Sequence, residues 1–147
     1  MRLDNDIFKC IVKNTPLISI DFLIEKDNKY LLGKRINKPA KDYYFSIGGR
    51  IYKNETIENA KKRILKEELN IDKFKEIKFI GVFEHLYNNS IFDKISTHYI
   101  NLGFIIKADI KEFPKIQHNS YIWLSKEEIL KSNLVHKYLK DYFKGIE

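Results

Sequence analysis

The chain has 147 residues, enough for one domain with a full hydrophobic core. Its 27 Lys and Arg against 20 Asp and Glu give a formal net charge of +7. That balance favours anionic partners, but no run of five or six like charges occurs, so a nucleic-acid arm is disfavoured.

Cys10 is the single cysteine, which excludes an intrachain disulfide and a multi-cysteine zinc site. No apolar run approaches the roughly 20 residues of a membrane span, and the early N-terminus is too polar and acidic for a secretory signal. A soluble cytoplasmic protein is the expectation.

Residues 5–13 place Ile7, Phe8, Ile11 and Val12 at helical spacing, which predicts a short helix before Pro16. From Leu17 to Ile24 the pattern alternates. Ile18, Ile20, Phe22 and Ile24 fall on one face and Ser19 and Asp21 on the other, as in a half-buried strand. Asp27-Asn28 forms a turn and Tyr30 to Lys34 returns, completing a hairpin. Ile36 to Asp42 is a loop, and Tyr43 to Ile47 is a short aromatic strand.

The pair Gly48-Gly49 reads as a tight loop, and Thr56 as the N-cap of the helix that follows. Ile57, Ala60, Ile64 and Ile71 line its buried side. Glu68 lies four residues beyond Ile64 on that same side, where a carboxylate is costly unless paired or metal-bound. Glu67 lies four residues beyond Arg63 and is placed to pair with it. Glu58, Lys61, Lys62 and Lys66 read as a solvated face.

Two further strands, Ile77 to His85 and Thr97 to Lys107, flank a polar loop over 86–95. A loop over 111–119 leads to a strand at Tyr121 to Leu124. Ser125-Lys126-Glu127-Glu128 is a capping box, and the run from Leu134 to Phe143 has the periodicity of a final amphipathic helix. Trp123 reads as core and His136 as a surface residue of that helix. No repeat or linker divides the chain. The expectation is one α/β domain, a mixed sheet between helices, with residues 1–14 as an N-terminal helical extension.

The 23-residue stretch from Gly49 to Ile71 resembles the signature box of the Nudix hydrolases. That box reads Gly, five residues, Glu, seven residues, Arg-Glu, apolar, any, Glu-Glu, any, Gly, apolar. Gly49, Glu55, Arg63, Leu65, Glu67, Glu68 and Ile71 match; Ile64 stands where the box has Glu, and Asn70 where it has Gly. Across most of the chain the sequence is also similar to the GDP-mannose mannosyl hydrolase branch. Thr15-Pro16-Leu17, Leu31-Leu32-Gly33-Lys34-Arg35, Thr97-His98-Tyr99 and Gln117-His118 carry that likeness.

The resemblance implies a Nudix α/β/α sandwich and hydrolysis of GDP-mannose, or another GDP-hexose, at the sugar C1–O bond with inversion. It implies Mg²⁺, with Mn²⁺ as a substitute, held by the Gly48 carbonyl, Glu68 and Gln117. His118 is the implied base. Arg35, Arg50 and Tyr99 would contact the diphosphate and Arg63 would orient Glu68 or the metal's surroundings. Asp21 would contact the sugar or tune the site, and His85 either contacts the sugar or makes a structural hydrogen bond. A nucleotide-sugar substrate and a homodimer using the N-terminal helix are implied as partners.

The residues fit such chemistry. Attack at a sugar carbon needs a base near neutral pH, which histidine supplies, and a diphosphate leaving group stabilised by a cation and arginines has little need of an acid. Glu67 keeps conventional Nudix pyrophosphohydrolysis open, and the positive charge keeps open a noncatalytic nucleotide- or RNA-binding module.

Overall fold

The computed structural model describes residues 2–110 and 118–144. The chain runs α1 (Asn5–Asn14), β1 (Leu17–Lys26), β2 (Lys29–Arg35), β3 (Tyr44–Phe45) and β4 (Ile47–Arg50). It continues through α2 (Ile57–Leu69), β5 (Phe74–Tyr87), β6 (Thr97–Ala108), β7 (His118–Ser125), α3 (Lys126–Lys131) and α4 (Lys137–Phe143).

The strands pair in the order β3-β2-β1-β6-β5, with β4 added to β1 and β7 to β2. The β1–β6 pair is parallel and its neighbours are antiparallel, so the sheet is mixed as expected. β2 stays with β1 only near the turn, at Glu25↔Tyr30 and Lys26↔Lys29. Farther along, β1 pairs instead with β4, from Ser19↔Arg50 to Phe22↔Ile47. The hairpin therefore splays, and the far end of β2, with Arg35, is free to pair with β7.

The two faces of β1 build two cores. Ile20, Phe22 and Ile24 pack with Ala60, Ile64 and Leu65 of α2. Leu23 packs on the other side with Ile105, Leu139, Tyr142 and Phe143. Helices on both faces of a mixed sheet give the α/β sandwich that the sequence predicts.

Several local expectations are corrected. Ile18 is half-exposed, while Ser19 and Asp21 are buried, because both faces of β1 are covered farther along. Gly48 and Gly49 are not a loop: they lie inside β4. A Cβ on Gly48 would run into Asp21 Oδ1 and the Ile20 carbonyl oxygen, so close backbone approach, not a turn, demands the glycine. The turn comes later, at Asn54, whose φ is +66°.

On α2, Ile57 is exposed, while Lys61 is buried. Its ammonium lies 4.0 Å from the Phe104 ring centre and bonds Glu58 and Glu76. A long side chain can bury its stem and keep its charge paired, a pattern invisible to hydropathy. β5 is longer than read at both ends, and it absorbs Leu86 and Tyr87 from the expected loop. The last helix starts at Lys137, not Leu134. His136 is its N-cap and is half-buried, accepting at Nδ1 from the Tyr138 N–H. Thr56 and the Ser125 capping box behave as predicted.

Candidate active site

A cleft opens where β4 runs along β1, beyond the point at which β2 departs. It gathers six residues singled out in the sequence: Asp21, Arg35, Gly48, Arg50, His85 and Tyr99. The register explains the meeting. Asp21 is level with Gly48 on β4 and Gly103 on β6; Ser19 is level with Arg50 and Asn101; Tyr99 is level with His85 on β5. Residues in register share a face, so one face of β4-β1-β6-β5 supplies the floor.

Asp21 is buried at 6% exposure and accepts the Tyr142 hydroxyl from α4. Burial raises its pKa to about 6, against the Tyr142 hydrogen bond and the Arg35 charge. The Ser46 hydroxyl adds a weaker pull without reaching hydrogen-bond geometry.

Arg35 donates from Nε to the Pro39 carbonyl at 2.9 Å, which fixes one edge of the guanidinium. Its charge acts on Asp21, Glu68 and Tyr99 together. Burial raises the Tyr99 pKa and keeps the phenol a hydrogen-bond donor at neutral pH. Arg50 lies over Phe8 of α1 at 4.8 Å and near Tyr52 at 5.4 Å, so aromatic faces guide its head.

His85 is buried and stacks on Tyr138, with ring centres 4.5 Å apart and planes 2° from parallel. Its Nε2 has no hydrogen-bond partner among the described residues. Burial pulls its pKa down to about 4, so the imidazole is neutral at physiological pH.

Arg63 and Glu68 stand on α2, outside the residues that line the cleft. Arg63 reaches both oxygens of Glu55, at 2.7 Å and 2.9 Å, the Arg50 carbonyl at 2.7 Å and Glu67 at 3.0 Å. It also lies 3.7 Å from the centre of the Tyr52 ring. Glu55 in turn accepts the Tyr52 N–H. This network pins the β4–α2 connection and makes Arg63 a positioning residue. The predicted Arg63–Glu67 pair is present.

Glu68 is partly buried, and its pKa rises to about 7, first through burial and then through Glu67, against Arg35 and Arg63. Ile64, one turn earlier, is sealed in the core, and a Cβ on Gly49 would come within 3.1 Å of it. The backbone of His118 pairs with Arg35 across β2 and β7, bringing this strand end to the cleft. The His118 side chain and all of Gln117 lie outside the described part of the structure.

The oxygen donors present suit a hard divalent cation. Glu68 is desolvated and crowded by a second carboxylate, a state that a cation would relieve. No group of three or more His, Cys, Asp and Glu side chains that could hold a metal occurs among the described residues.

Sequence reasoning missed Ser46, Tyr87 and Asn101, which also line the cleft, and Tyr142, which holds Asp21. Asn101 was accessible: it is two residues from Tyr99 on an alternating strand and so shares its face. Tyr142 carried no such signal, because a helix 121 residues from Asp21 brings it there.

The NUDIX domain model matches residues 16–143, and the chain belongs to the Nudix family. The chain is similar to the "Low-salt glycan biosynthesis protein Agl8" of Haloferax volcanii. The two are 39% identical over 109 residues, which cover 74% of this chain and 69% of that protein. A second relative is the "ADP-ribose pyrophosphatase" of Methanocaldococcus jannaschii, 44% identical over 69 residues, or 46% of this chain and 40% of that one.

Among solved structures, the MutT protein of Methanosarcina mazei Go1 superposes with a TM-score of 0.71. It is 22% identical, with 89% of this chain and 93% of that one covered, a likeness of fold alone. Family and fold thus make the chain a Nudix hydrolase, a class that generally uses divalent metal ions such as Mg²⁺ and acts on nucleotide derivatives. Among the described residues, no helix is long and apolar enough to cross a membrane.

Proposed function

We propose that the protein hydrolyses a GDP-hexose, GDP-mannose in the first instance, to GDP and free sugar by attack of water at the sugar C1. One observation carries this reading: Ile64 stands where the signature has the carboxylate that can activate water at phosphorus. Ile64 is apolar and buried against Gly49, while Glu55 and Glu67 are both bonded to Arg63. The charge of Glu68 couples to that of Arg35 at the cleft.

In this reading Glu68, the Gly48 carbonyl and Gln117 hold Mg²⁺. When bound, the ion neutralises negative charge on the diphosphate leaving group. Arg35 and Arg50 hold diphosphate oxygens, and Tyr99 donates its phenolic hydrogen to one of them. Asp21 and His85 meet the sugar deeper in the cleft. His118 removes the proton from the attacking water as its oxygen bonds to C1. The C1–O bond to phosphate breaks on the opposite face, and its electron pair leaves with GDP, so the anomeric configuration inverts.

A histidine base takes the place of the carboxylate that sugar hydrolases ordinarily use. The name of the H. volcanii relative places that protein in glycan synthesis, which accords with sugar-nucleotide chemistry. The reading also carries a cytoplasmic homodimer using α1. That helix lies before the matched Nudix span and exposes Ile7. Sedimentation at micromolar concentration checks the dimer, and a monomer there sinks it.

Conventional cleavage at phosphorus is the second reading. It is favoured by Glu67 beside Glu68 and by the name of the M. jannaschii relative. Hydrolysis in oxygen-18 water separates the two. Label in the free hexose supports carbon attack; label in a phosphate product overturns it. His118→Gln should lower turnover by about 10²–10⁴-fold with GDP binding largely kept.

A further inference from the structure

On the cleft floor, Asn101 presents an amide whose Nδ2 is buried and has no hydrogen-bond partner among the described residues. The residue is 3% exposed, and it stands on β6 in register with Ser19 and Phe83. Ser19 donates its hydroxyl to the Gly49 carbonyl at 2.9 Å, and its oxygen, which could still accept, is not within hydrogen-bond geometry of Nδ2. Phe83 has nothing polar to offer. A buried amide with an open hydrogen-bonding position is unfavourable unless water or a ligand completes it.

The surroundings say which ligand. Ser46 Oγ lines the same cleft, is buried, and likewise lacks a hydrogen-bond partner among the described residues. Buried Asp21 and neutral His85 lie within the same lining. A primary amide, a hydroxyl, a carboxyl and a neutral imidazole are a donor–acceptor set for hydroxyl groups. Phosphate oxygens, which accept only, are better served by the Arg35 and Arg50 guanidiniums in the same cleft.

We infer that Asn101, assisted by Ser46, is a specificity-determining residue that hydrogen-bonds a hydroxyl of the hexose portion of the substrate. The inference rests on the nucleotide-sugar reading above. It assigns to the cleft floor the task of distinguishing one hexose from another. A site built to hydrogen-bond a hydroxyl discriminates strongly against analogues lacking it, because its own buried groups then go unpaired.

The test compares wild type, Asn101→Val and Ser46→Ala on GDP-mannose and on its analogues deoxygenated at single ring positions. Binding of GDP alone is measured by calorimetry. For wild type, one deoxy position should lower kcat/KM by about 10–100-fold, the effect of one buried group left unpaired. In Asn101→Val, GDP-mannose should fall to the level of that analogue, the analogue itself should change less than about threefold, and GDP affinity should be unchanged. Ser46→Ala should narrow the same gap more weakly.

Equal losses on every sugar, or a weakened GDP affinity, would show a scaffold or diphosphate role and overturn the inference. Full discrimination retained in Asn101→Val also overturns it while leaving the nucleotide-sugar reading intact. If wild type neither turns over GDP-mannose nor binds it differently from GDP, both readings fall. Thermal melts of each variant separate misfolding from lost recognition, and the GDP affinity of folded variants keeps the comparison decisive.

Discussion

The β4–α2 connection and the cleft floor both carry polar side chains and treat them in opposite ways. In the connection, Arg63 is bonded on every side, by Glu55, Glu67 and the Arg50 carbonyl, and Lys61 by Glu58 and Glu76. On the floor, Asp21 and His85 have pKa values displaced by burial, and Asn101 and Ser46 have open positions. The contrast separates a region whose charges are paired from one whose polar groups are buried with positions open among the described residues. A buried polar group without a partner gains when a ligand supplies one.

The largest effect expected from breaking this contrast is in the connection. Arg63→Ala leaves Glu55, only 14% exposed, without its fork and removes the bond to the Arg50 carbonyl. A loss of about 3 kcal/mol follows, a Tm lowered by roughly 6–12 °C, measured by calorimetry. Turnover should fall as well, since Arg50 is held through that carbonyl. An unchanged Tm would remove the connection from the stability account.

Next comes acid sensitivity from the floor. His85 has its pKa lowered from 6.5 to about 4 by burial. The unfolded chain therefore takes up a proton first as pH falls, and stability declines from about pH 6.5 down to about pH 4, with no further effect of this group below that. The decline from this group amounts to about 2–3 kcal/mol, and His85→Phe should flatten it. Urea melts across that window read the slope; an equally steep slope in the variant would refute the assignment.

The paired glycines sharpen the boundary between the two regions. Gly48→Ala pushes a methyl into Asp21 and the Ile20 backbone, and should destabilise by about 2–3 kcal/mol while disturbing the cleft. Gly49→Ala meets only the Ile64 side chain, at 3.1–3.4 Å, and should cost about 1 kcal/mol or less. Paired denaturant melts test the order. The smallest effect belongs to the solvent-exposed Lys66–Asp72 pair, where Lys66→Ala should change stability by less than about 0.5 kcal/mol.

Much of this contrast was legible beforehand. The 3.6-residue period placed Ala60 and Ile64 in the core, and the four-residue spacing placed Arg63 on Glu67. The signature spacing located the family. Lys61 and Ile57 broke the same pattern: Ile57, the first residue of α2, meets solvent, while the ammonium of Lys61 lies over Phe104. The glycine pair misled because glycine serves both tight turns and close strand approach, and its sequence context is alike in the two cases.

By itself, then, the sequence determined the type of most elements, the caps at Thr56 and Ser125, the family signature, and the loss of a carboxylate at Ile64. These are properties of residues near one another in the chain, where side-chain direction follows directly from spacing. Tertiary structure alone decided that Tyr142 would hold Asp21, that Arg63 would be spent on Glu55, and that Asn101 would reach the cleft floor with its amide nitrogen unpaired among the described residues. Those outcomes depend on strand register and on how β2 splays from β1, and register is settled by packing among distant segments.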